Sequence, residues 1–431
     1  MVEPQKTDKP VAPLPVRTAR KFTCTHCGGQ IEVRAGGVSL SAVCAHCGSI
    51  IDVADERLQI IQQTDTKLRR TLLEIGARGK LFGTQWEVIG YTQKSDRTKQ
   101  YFWDEYLLFN PYNGFRFLIQ QDGHWNFAAV VKDVVGKKGF VEQFPFRGEN
   151  FKPYLRDNPI VQYVKGEFYW RIKKGDQAKT EDYIAPPYMV SFEYADGDIS
   201  LTLCEYLTPG EVKSAFGIFG MMPSRSGVAP NQPGPEGLTA AVRCMALAIL
   251  LLMAMYISIS GASAKQLVAH ANGVLQPADR VRVFMTDAID VPKQSNMMVT
   301  SSAPVDNAWA EAEISLVNDD TKEEIELRQP IEYYHGYDSD GAWSEGSTVQ
   351  ENYFSAVPSG HYHLMYGVDS DVLQKGQPLP FDMVVKRDMP NGGNLFVALL
   401  LIIIYPLMLA FRIQSFETKR WENSDFPRSS N

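Results

Sequence analysis

Four cysteines near the start of the chain form the strongest candidate for a functional site in this sequence. Cys24 and Cys27 form one C-x2-C pair, and Cys44 and Cys47 form a second pair after sixteen intervening residues. Such paired knuckles present thiolates tetrahedrally to one ion, and this spacing is typical of zinc sites far more than of disulfide scaffolds. Four thiolates fill every position on zinc, which favours a structural ion over a catalytic one. Iron and a metal-free ribbon are the alternatives.

Two histidines lie inside the knuckles, His26 in "CTHC" and His46 in "CAHC". Either imidazole could replace a thiolate, but with four cysteines available we expect both to be solvent-facing turn residues. The ribbon has only Lys21 and Arg34 nearby, and the whole chain carries a net charge of -7. Phosphate-backbone binding needs several cations, so no nucleic-acid partner is expected.

A second, weaker candidate site lies in "YYHGYDSDGAWSEGS", which begins at Tyr333. Asp338, Asp340 and Glu345 offer hard oxygen ligands for calcium, and Gly341 would allow a sharp turn. The spacing does not match the twelve-residue calcium loop, and D-x-D-G is also an ordinary turn sequence. The aromatic residues around it would suit either a sugar-stacking surface or a sandwich core, and core packing is the better expectation.

The remaining candidate residues give only weak indications of a metal site or a catalytic site. His361 and His363 are two apart in "SGHYHLMYG", so on a strand they share a face, but the sequence shows no third metal ligand beside them. Cys204 and Cys244 stand alone and are expected to be packing residues. We find no nucleophile elbow, phosphate-binding glycine loop or H-E-x-x-H motif, so no catalytic residue is assigned.

Two apolar segments predict membrane-spanning helices at 238–260 and 394–412. The first contains "CMALAILLLMAMYISIS" and the second "LFVALLLIIIYPLMLAF", each close to the length that a bilayer core requires. Pro406 is tolerable in such a helix as a kink. Buried core helices of a soluble protein are the alternative. Two spans place both termini on one side, and thiolate ligands need a reducing compartment, so both termini are expected to be cytosolic.

The rest of the chain predicts a mainly β protein. Residues 68–216 are rich in aromatic residues and short alternating runs, and the region between the spans, which carries no cysteine, has regularly spaced strands after a helical-looking start, "ASAKQLVAHANGVLQ". "TPGEVKSAFG" predicts a capped short helix. The expected order is a flexible tail (1–20), zinc ribbon (21–55), first and second β units (68–150 and 151–220), linker (221–237), span (238–260), β-sandwich-like domain (261–393), span (394–412) and cytoplasmic tail (413–431).

The two β units look like a duplication of one small antiparallel domain. "WEV" at Trp86 and "WRI" at Trp170 each follow a glycine, and a hairpin-like sequence comes some twenty residues later in each copy, "YLLFNPYNGFRFL" from Tyr106 and "YMVSFEYADGDISL" from Tyr188. In the final segment, "RIQSFETKRWENSDF", we expect Phe416 and Trp421, beside Lys419 and Arg420, to lie at the membrane interface.

The chain resembles an uncharacterised bacterial membrane-protein family, catalogued as a domain of unknown function with the number 4178. The residues that carry the resemblance are "WDEYLLFNPYNGFRFL", "GEFYWRIKKGD", "DYIAPPYMVSFE" and "CEYLTPGEVKSAF", within 68–216. The resemblance implies a tandem β-rich domain at the bacterial inner membrane and a role in envelope maintenance or stress signalling. It implies no catalytic residues.

These observations favour a membrane-anchored interaction or scaffold protein. A cytosolic zinc ribbon and β module would recruit a protein partner, and an extracytoplasmic β domain would bind something outside, with the lipid bilayer as the third partner. Self-association is left open. The alternative is an envelope enzyme or ligand-binding sensor that acts through the loops of the extracytoplasmic domain, around Asp338 to Glu345.

Overall fold

The fold is described from a computed structural model, which covers residues 19–64, 69–131, 141–195 and 198–426. The flexible tail expected over 1–20 lies almost wholly outside these residues. The chain forms two compact units, Met1–Glu236 with Leu409–Asn431, and Gly237–Met408. Each unit is described by itself.

The first unit consists mainly of antiparallel strands. They are β1 (Arg20–Thr23), β2 (Gln30–Val33), β3 (Ser41–Val43), β4 (Ile50–Asp52), β5 (Ile60–Gln62), β6 (Arg78–Leu81), β7 (Thr84–Ser95), β8 (Phe102–Asn110), β9 (Gly114–Gln121), β10 (His124–Val131), β11 (Phe144–Phe146), β12 (Glu149–Asp157), β13 (Ile160–Phe168), β14 (Lys179–Ala185), β15 (Tyr188–Ala195) and β16 (Asp198–Leu207), followed by helix α1 (Pro209–Phe216).

Fourteen of these strands form one sheet, in which the two predicted β units are merged. Its order is β11-β12-β14-β15-β16-β10-β9-β8-β7-β13-β3-β4-β5, and β6 also pairs with β7. Each predicted unit contributes a meander, and the two units meet where β10 pairs with β16 and again where β13 pairs with β7. The tryptophans that suggested a duplication are not equivalent, because Trp86 lies within β7 whereas Trp170 follows the end of β13.

Helix α1 follows the second meander and has the capped N-terminus that its sequence predicts. Thr208 is the N-cap, its side chain accepts from the backbone N–H of Glu211, and the Glu211 side chain accepts in turn from the N-cap backbone. This reciprocal capping box satisfies two N–H groups that a helix start otherwise leaves unpaired. Val212 faces inward from the helix and is fully buried among Trp86, Leu118 and other core residues of the sheet.

The second half of the predicted ribbon, with β3 and β4, is part of the same sheet, whereas β1 and β2 form a separate two-stranded sheet. Strand β3 pairs with β13, with Ala42 opposite Glu167. The Glu167 carboxylate is 2% exposed, and it accepts hydrogen bonds from the backbone N–H of Arg34 at 2.6 Å and from the Ser39 hydroxyl at 2.7 Å. Burial raises the pKa of Glu167, although these hydrogen bonds oppose the rise. A buried carboxylate needs such donors, so Glu167 specifies where the ribbon attaches.

The second unit is a β-sandwich between two long helices. Its elements are α2 (Leu238–Ala262), β17 (Gln266–Leu275), a 3-10 helix (Pro277–Val281), β18 (Phe284–Met285), β19 (Ile289–Val291), β20 (Ser295–Ser302), β21 (Ala308–Asn318), β22 (Glu324–Asp338), β23 (Gly341–Ser347), β24 (Val349–Val357), β25 (Gly360–Ser370), α3 (Asp371–Gln374), β26 (Leu379–Arg387) and the first part of α4 (Gly392–Trp421).

Two sheets form the sandwich, with orders β17-β26-β20-β24 and β18-β25-β21-β22-β23, and β19 also pairs with β25. Alternate residues of β20, β21 and β26 are buried in one apolar core, as a sandwich requires. The prediction of a helix at "ASAKQLVAHANGVLQ" is wrong. Strand β17 occupies most of that stretch and pairs with β26 from Leu275 to Gln266, so tertiary pairing overrides the local pattern.

Helices α2 and α4 are both long and apolar enough to cross a membrane. The 25 residues of α2 extend for about 37 Å, compared with a hydrocarbon core about 30 Å thick. None of its residues is buried. Helix α4 has 30 residues and contains Pro406, and it continues nine residues beyond the end predicted at 412.

Removing the Glu167 carboxylate is expected to loosen the ribbon from the sheet. Glu167→Ala leaves the Arg34 N–H and the Ser39 hydroxyl without their acceptor, which costs about 2 kcal/mol. Amide exchange in 34–43 should then rise roughly 30-fold, measured by hydrogen exchange on the full chain. Glu32→Ala, an exposed change on β2, is the control. Unchanged exchange in Glu167→Ala would show that strand pairing alone holds the ribbon.

Candidate metal centre

The two cysteine pairs lie in matching turns. Residue 28 donates its N–H to the Cys24 carbonyl and residue 48 donates to the Cys44 carbonyl, both at 2.9 Å. Gly28 and Gly48 both have φ of 76°, which is the left-handed region that glycine adopts without strain. The sequence therefore folds into two equivalent knuckles, with each pair of thiols held on one side of its turn.

The four sulfur atoms meet at one point, all within 4.8 Å of one another. The Sγ atoms of Cys24 and Cys47 are 3.8 Å apart, and those of Cys27 and Cys44 are 3.6 Å apart. Tetrahedral thiolates about 2.3 Å from a zinc ion would lie roughly 3.8 Å from each other. The residues therefore fit a four-coordinate ion, and no other group of three or more such ligands occurs among the residues that the structure describes.

The protein environment differs between the thiols. Burial raises the pKa of Cys44 to about 12. Burial acts in the same direction on Cys47, but hydrogen bonds with Ser49 and His26 outweigh it and lower the pKa of Cys47 to about 5. Cys47 thus ionises before Cys44, and an ion bound there would favour the thiolate form of Cys44.

The histidines of the knuckles are not among the grouped ligands. His26 and His46 are exposed, as expected. The Nδ1 atom of His26 is 3.1 Å from the Ser49 hydroxyl, which in turn lies 3.4 Å from the Cys47 sulfur. His26 therefore acts on the centre through hydrogen bonds to a ligand, and this contact could not be predicted from the spacing of the cysteines.

The calcium candidates are spread along a hairpin. Asp338 pairs with Gly341 at its turn, whereas Glu345 lies opposite Tyr334, four pairs further along. At about 3.3 Å per residue, that separation is roughly 13 Å along the strand. The Asp338 carboxylate accepts from the backbone N–H of Asp340, an ordinary Asx turn. The structure does not bring the three carboxylates together.

The paired histidines of β25 are each bound to a separate carboxylate. His361 lies 3.5 Å from Asp290 and His363 lies 2.5 Å from Asp319. The two side chains share a face, but in the described chain they do not form a group with a third metal ligand. Cys204 is buried within the sheet, while Cys244 lies on the exposed surface of α2.

A second functional feature, which the sequence did not reveal, lies at the end of helix α4. Arg420 is only 2% exposed. Its guanidinium donates to the carbonyl of Pro230 at 2.6 Å and pairs with Glu417 at 3.1 Å. Its charge is satisfied by carbonyl groups of the linker and by a carboxylate one helical turn away, so Arg420 packs against protein groups.

The C-terminal segment continues this contact along strand β12. The Tyr154 hydroxyl donates to the Arg420 carbonyl at 2.9 Å, and the Tyr154 carbonyl accepts from the backbone N–H of Asp425 at 3.1 Å. The Asp425 carboxylate accepts from the Arg156 N–H at 2.8 Å, and the Trp421 ring packs on Tyr154. Burial raises the pKa of Tyr154 to about 12, so its hydroxyl stays a donor. We call residues 417–426 and their contacts the C-terminal clamp.

Comparisons with solved structures find only distant similarity. A structure of infectious bursal disease virus Gt strain is 7% identical, with 91% of this chain and 77% of that chain covered and a TM-score of 0.19. The Cry4Aa toxin of Bacillus thuringiensis is 9% identical, with 72% and 52% covered and a TM-score of 0.16. The Cry8Ea1 delta-endotoxin of Bacillus thuringiensis is 7% identical, with 72% and 53% covered and a TM-score of 0.17. TM-scores this low do not establish a shared fold.

The fold and the centre define a mainly β protein that has a four-cysteine ribbon and two helices long enough to span a membrane. Within it, residues 74–209 match the family model described as Domain of unknown function (DUF4178), which confirms the resemblance drawn from the sequence. The matched segment runs from just before β6 to the start of α1 and therefore includes both meanders of the large sheet. A search of the curated proteins found no match.

The four-thiol geometry predicts one bound metal ion per chain. Full-length protein purified under reducing conditions should contain close to one equivalent, measured by elemental analysis. Cys44→Ser should reduce the content at least tenfold, because a neutral hydroxyl replaces a thiolate ligand. Cys204→Ser, a buried cysteine outside the ribbon, should retain the ion. Equal metal content in the two variants would contradict the assignment.

Proposed function

We propose that this protein is a membrane-anchored interaction or scaffold protein of the bacterial inner membrane. It couples a cytosolic ribbon and DUF4178 module to an extracytoplasmic β-sandwich, and each side binds a protein partner. Its role is in envelope maintenance or stress response, which rests on the family resemblance. Both termini are cytosolic in this proposal, because thiolate ligands persist in a reducing compartment.

The observation that carries the proposal is the continuity of helix α4 with the C-terminal clamp. The helix begins with an apolar segment that is long enough to span a bilayer, and its last turn ends in the clamp. A flexible anchor would need no such attachment. The end of this helix belongs to the same unit as the β module and is attached to it by specific buried contacts, as a scaffold requires.

The ion in the ribbon is proposed to be zinc with a structural role. Four thiolates leave no coordination position for water, so the centre is unsuited to activating a nucleophile. The ribbon has a small core of its own, formed by Ile31, Val33, Ala42 and Ile51 with the cysteines. An ion that crosslinks both knuckles would stabilise so small a module. The ribbon would then present a fixed edge of the large sheet to a partner.

The clamp predicts that a single substitution frees the module from the helix end. Arg420→Ala removes a buried charge and leaves Glu417 and the Pro230 carbonyl without their partner, a loss on the order of 3 kcal/mol. Amide exchange at 229–234 should rise more than 100-fold in the full-length protein in detergent. Lys419→Ala, at the exposed neighbouring position, should leave it unchanged. The same exchange in both variants would remove the basis for a rigid attachment.

The topology predicts opposite accessibility of the two units. Ser347 in the sandwich and Arg97 in the turn after β7 are both exposed. Each is changed to cysteine in a metal-loaded Cys244→Ser background and treated with a membrane-impermeant maleimide. In intact spheroplasts Ser347→Cys should label, and Arg97→Cys should label only after permeabilisation. Labelling of both from outside would contradict the proposed topology.

A further inference from the structure

The hairpin that carried the calcium candidates extends beyond the sheet to which it belongs. Strand β22 pairs with β21 only as far as Tyr333, which lies opposite Ala308. In the described chain, its last five residues pair with β23 alone. Residues 334–347 therefore form a two-stranded projection, which we call the aromatic arm. An isolated two-stranded hairpin is only marginally stable in water, so the exposure of this arm requires an explanation.

The base of the arm is fixed, whereas its aromatic residues are exposed. His335 donates its backbone N–H to the Asn307 side-chain oxygen at 3.0 Å, and its Nε2 lies 2.7 Å from the Asp306 carboxylate. Further out, Tyr337 is 84% exposed and Trp343 is 43% exposed. The Trp343 ring lies against Gly336, where an added Cβ would be 2.8 Å from the ring. The indole is thus held in place while much of it remains accessible.

The charge of the arm is negative throughout. Asp338, Asp340 and Glu345 are its ionised residues, and 334–347 contains neither lysine nor arginine. Among the described residues, none of these carboxylates lies in an ion pair. On one face of the arm, a cationic ligand would meet the unpaired carboxylates of Asp338 and Glu345 beside the exposed Trp343 ring, which attracts cations over its face. Tyr337 lies on the opposite face.

Strand β23 is also the last strand of its sheet. The sheet order ends at β23, so in the described structure its outer N–H and C=O groups lack a strand partner. An edge of this kind accepts an extended peptide as an additional strand. A second copy of this chain fits poorly, because pairing two β23 strands would bring two sets of carboxylates together.

We propose that the aromatic arm is the docking site for an extended, basic peptide segment of a partner protein. The segment adds to β23 through backbone hydrogen bonds. Its lysine or arginine side chains contact the Trp343 ring and pair with Asp338 and Glu345, which share one face of the arm. This inference rests on the proposed interaction function and deepens it by giving the chemical class of the partner, but the arm's chemistry is independent of membrane topology.

The test uses the full-length protein in a neutral detergent and three fluorescein-labelled peptides, with binding followed by anisotropy. One alternates Lys and Thr over ten residues, a second alternates Glu and Thr, and a third alternates Lys and Pro. The Lys-Thr peptide should bind, and the Glu-Thr peptide should bind at least tenfold more weakly. The Lys-Pro peptide has the same charge but lacks half of the backbone N–H groups, so it should also bind at least tenfold more weakly.

Variants locate the site. Glu345→Lys and Trp343→Ala should each weaken binding of the Lys-Thr peptide at least fivefold. Tyr337→Ala, an exposed change on the opposite face of the arm, and Glu324→Lys, an exposed change at the opposite end of β22, should not. Because the Glu345 side chain is exposed, the thermal midpoint should be unchanged in Glu345→Lys. Equal binding of the Lys-Thr and Lys-Pro peptides, no effect of Glu345→Lys, or a dimer that Trp343→Ala dissolves would each overturn the proposal. If the peptide tests fail while the maleimide labelling is as expected, the docking proposal is wrong and the proposed membrane topology is retained.

Discussion

The burial of one guanidinium, that of Arg420, is the interaction on which the attachment of the C-terminal helix end to the linker depends. Taking a charged group out of water is costly unless acceptors replace the lost hydration. Here the acceptors come from two places far apart in sequence, the carbonyls of Ala229 and Pro230 and the carboxylate of Glu417. Arg420 can be buried only when the linker and the helix end lie together. The cost of its desolvation therefore makes their association specific.

A buried charged group also attaches the ribbon to the large sheet, and here the charge is negative. Glu167 is buried, and its carboxylate is satisfied by N–H and hydroxyl groups from 34–39. Arg171 pairs with Asp52 at 2.7 Å near the same junction. Hydrophobic contact alone would hold the ribbon without choosing its register. Two buried or half-buried charge contacts, together with the pairing of β3 with β13, allow one arrangement.

The cysteine centre and the mainly β class could be predicted from sequence because their signals are local. A C-x2-C knuckle needs only a tight turn, and strand alternation has a period of two residues. The capped helix at Thr208 has the same local character. Residues 266–275 show the limit of this approach. They look helical by themselves, yet they form a strand because β26 offers a full-length pairing partner 100 or so residues later in the chain.

The sequence by itself determined the ligands of the candidate metal centre, the two apolar helices and the β character of both units. Each of these follows from residue types within a window of some twenty positions. Only the tertiary structure decided that Glu167 joins the ribbon to the sheet, that Arg420 is buried, and that the calcium candidates lie apart on an exposed arm. Glu167 contacts Arg34 and Ser39, which are 133 and 128 residues away, and Arg420 contacts Pro230, which is 190 residues away. Local patterns cannot reveal such contacts, because the chain's long-range packing creates the environment that stabilises them.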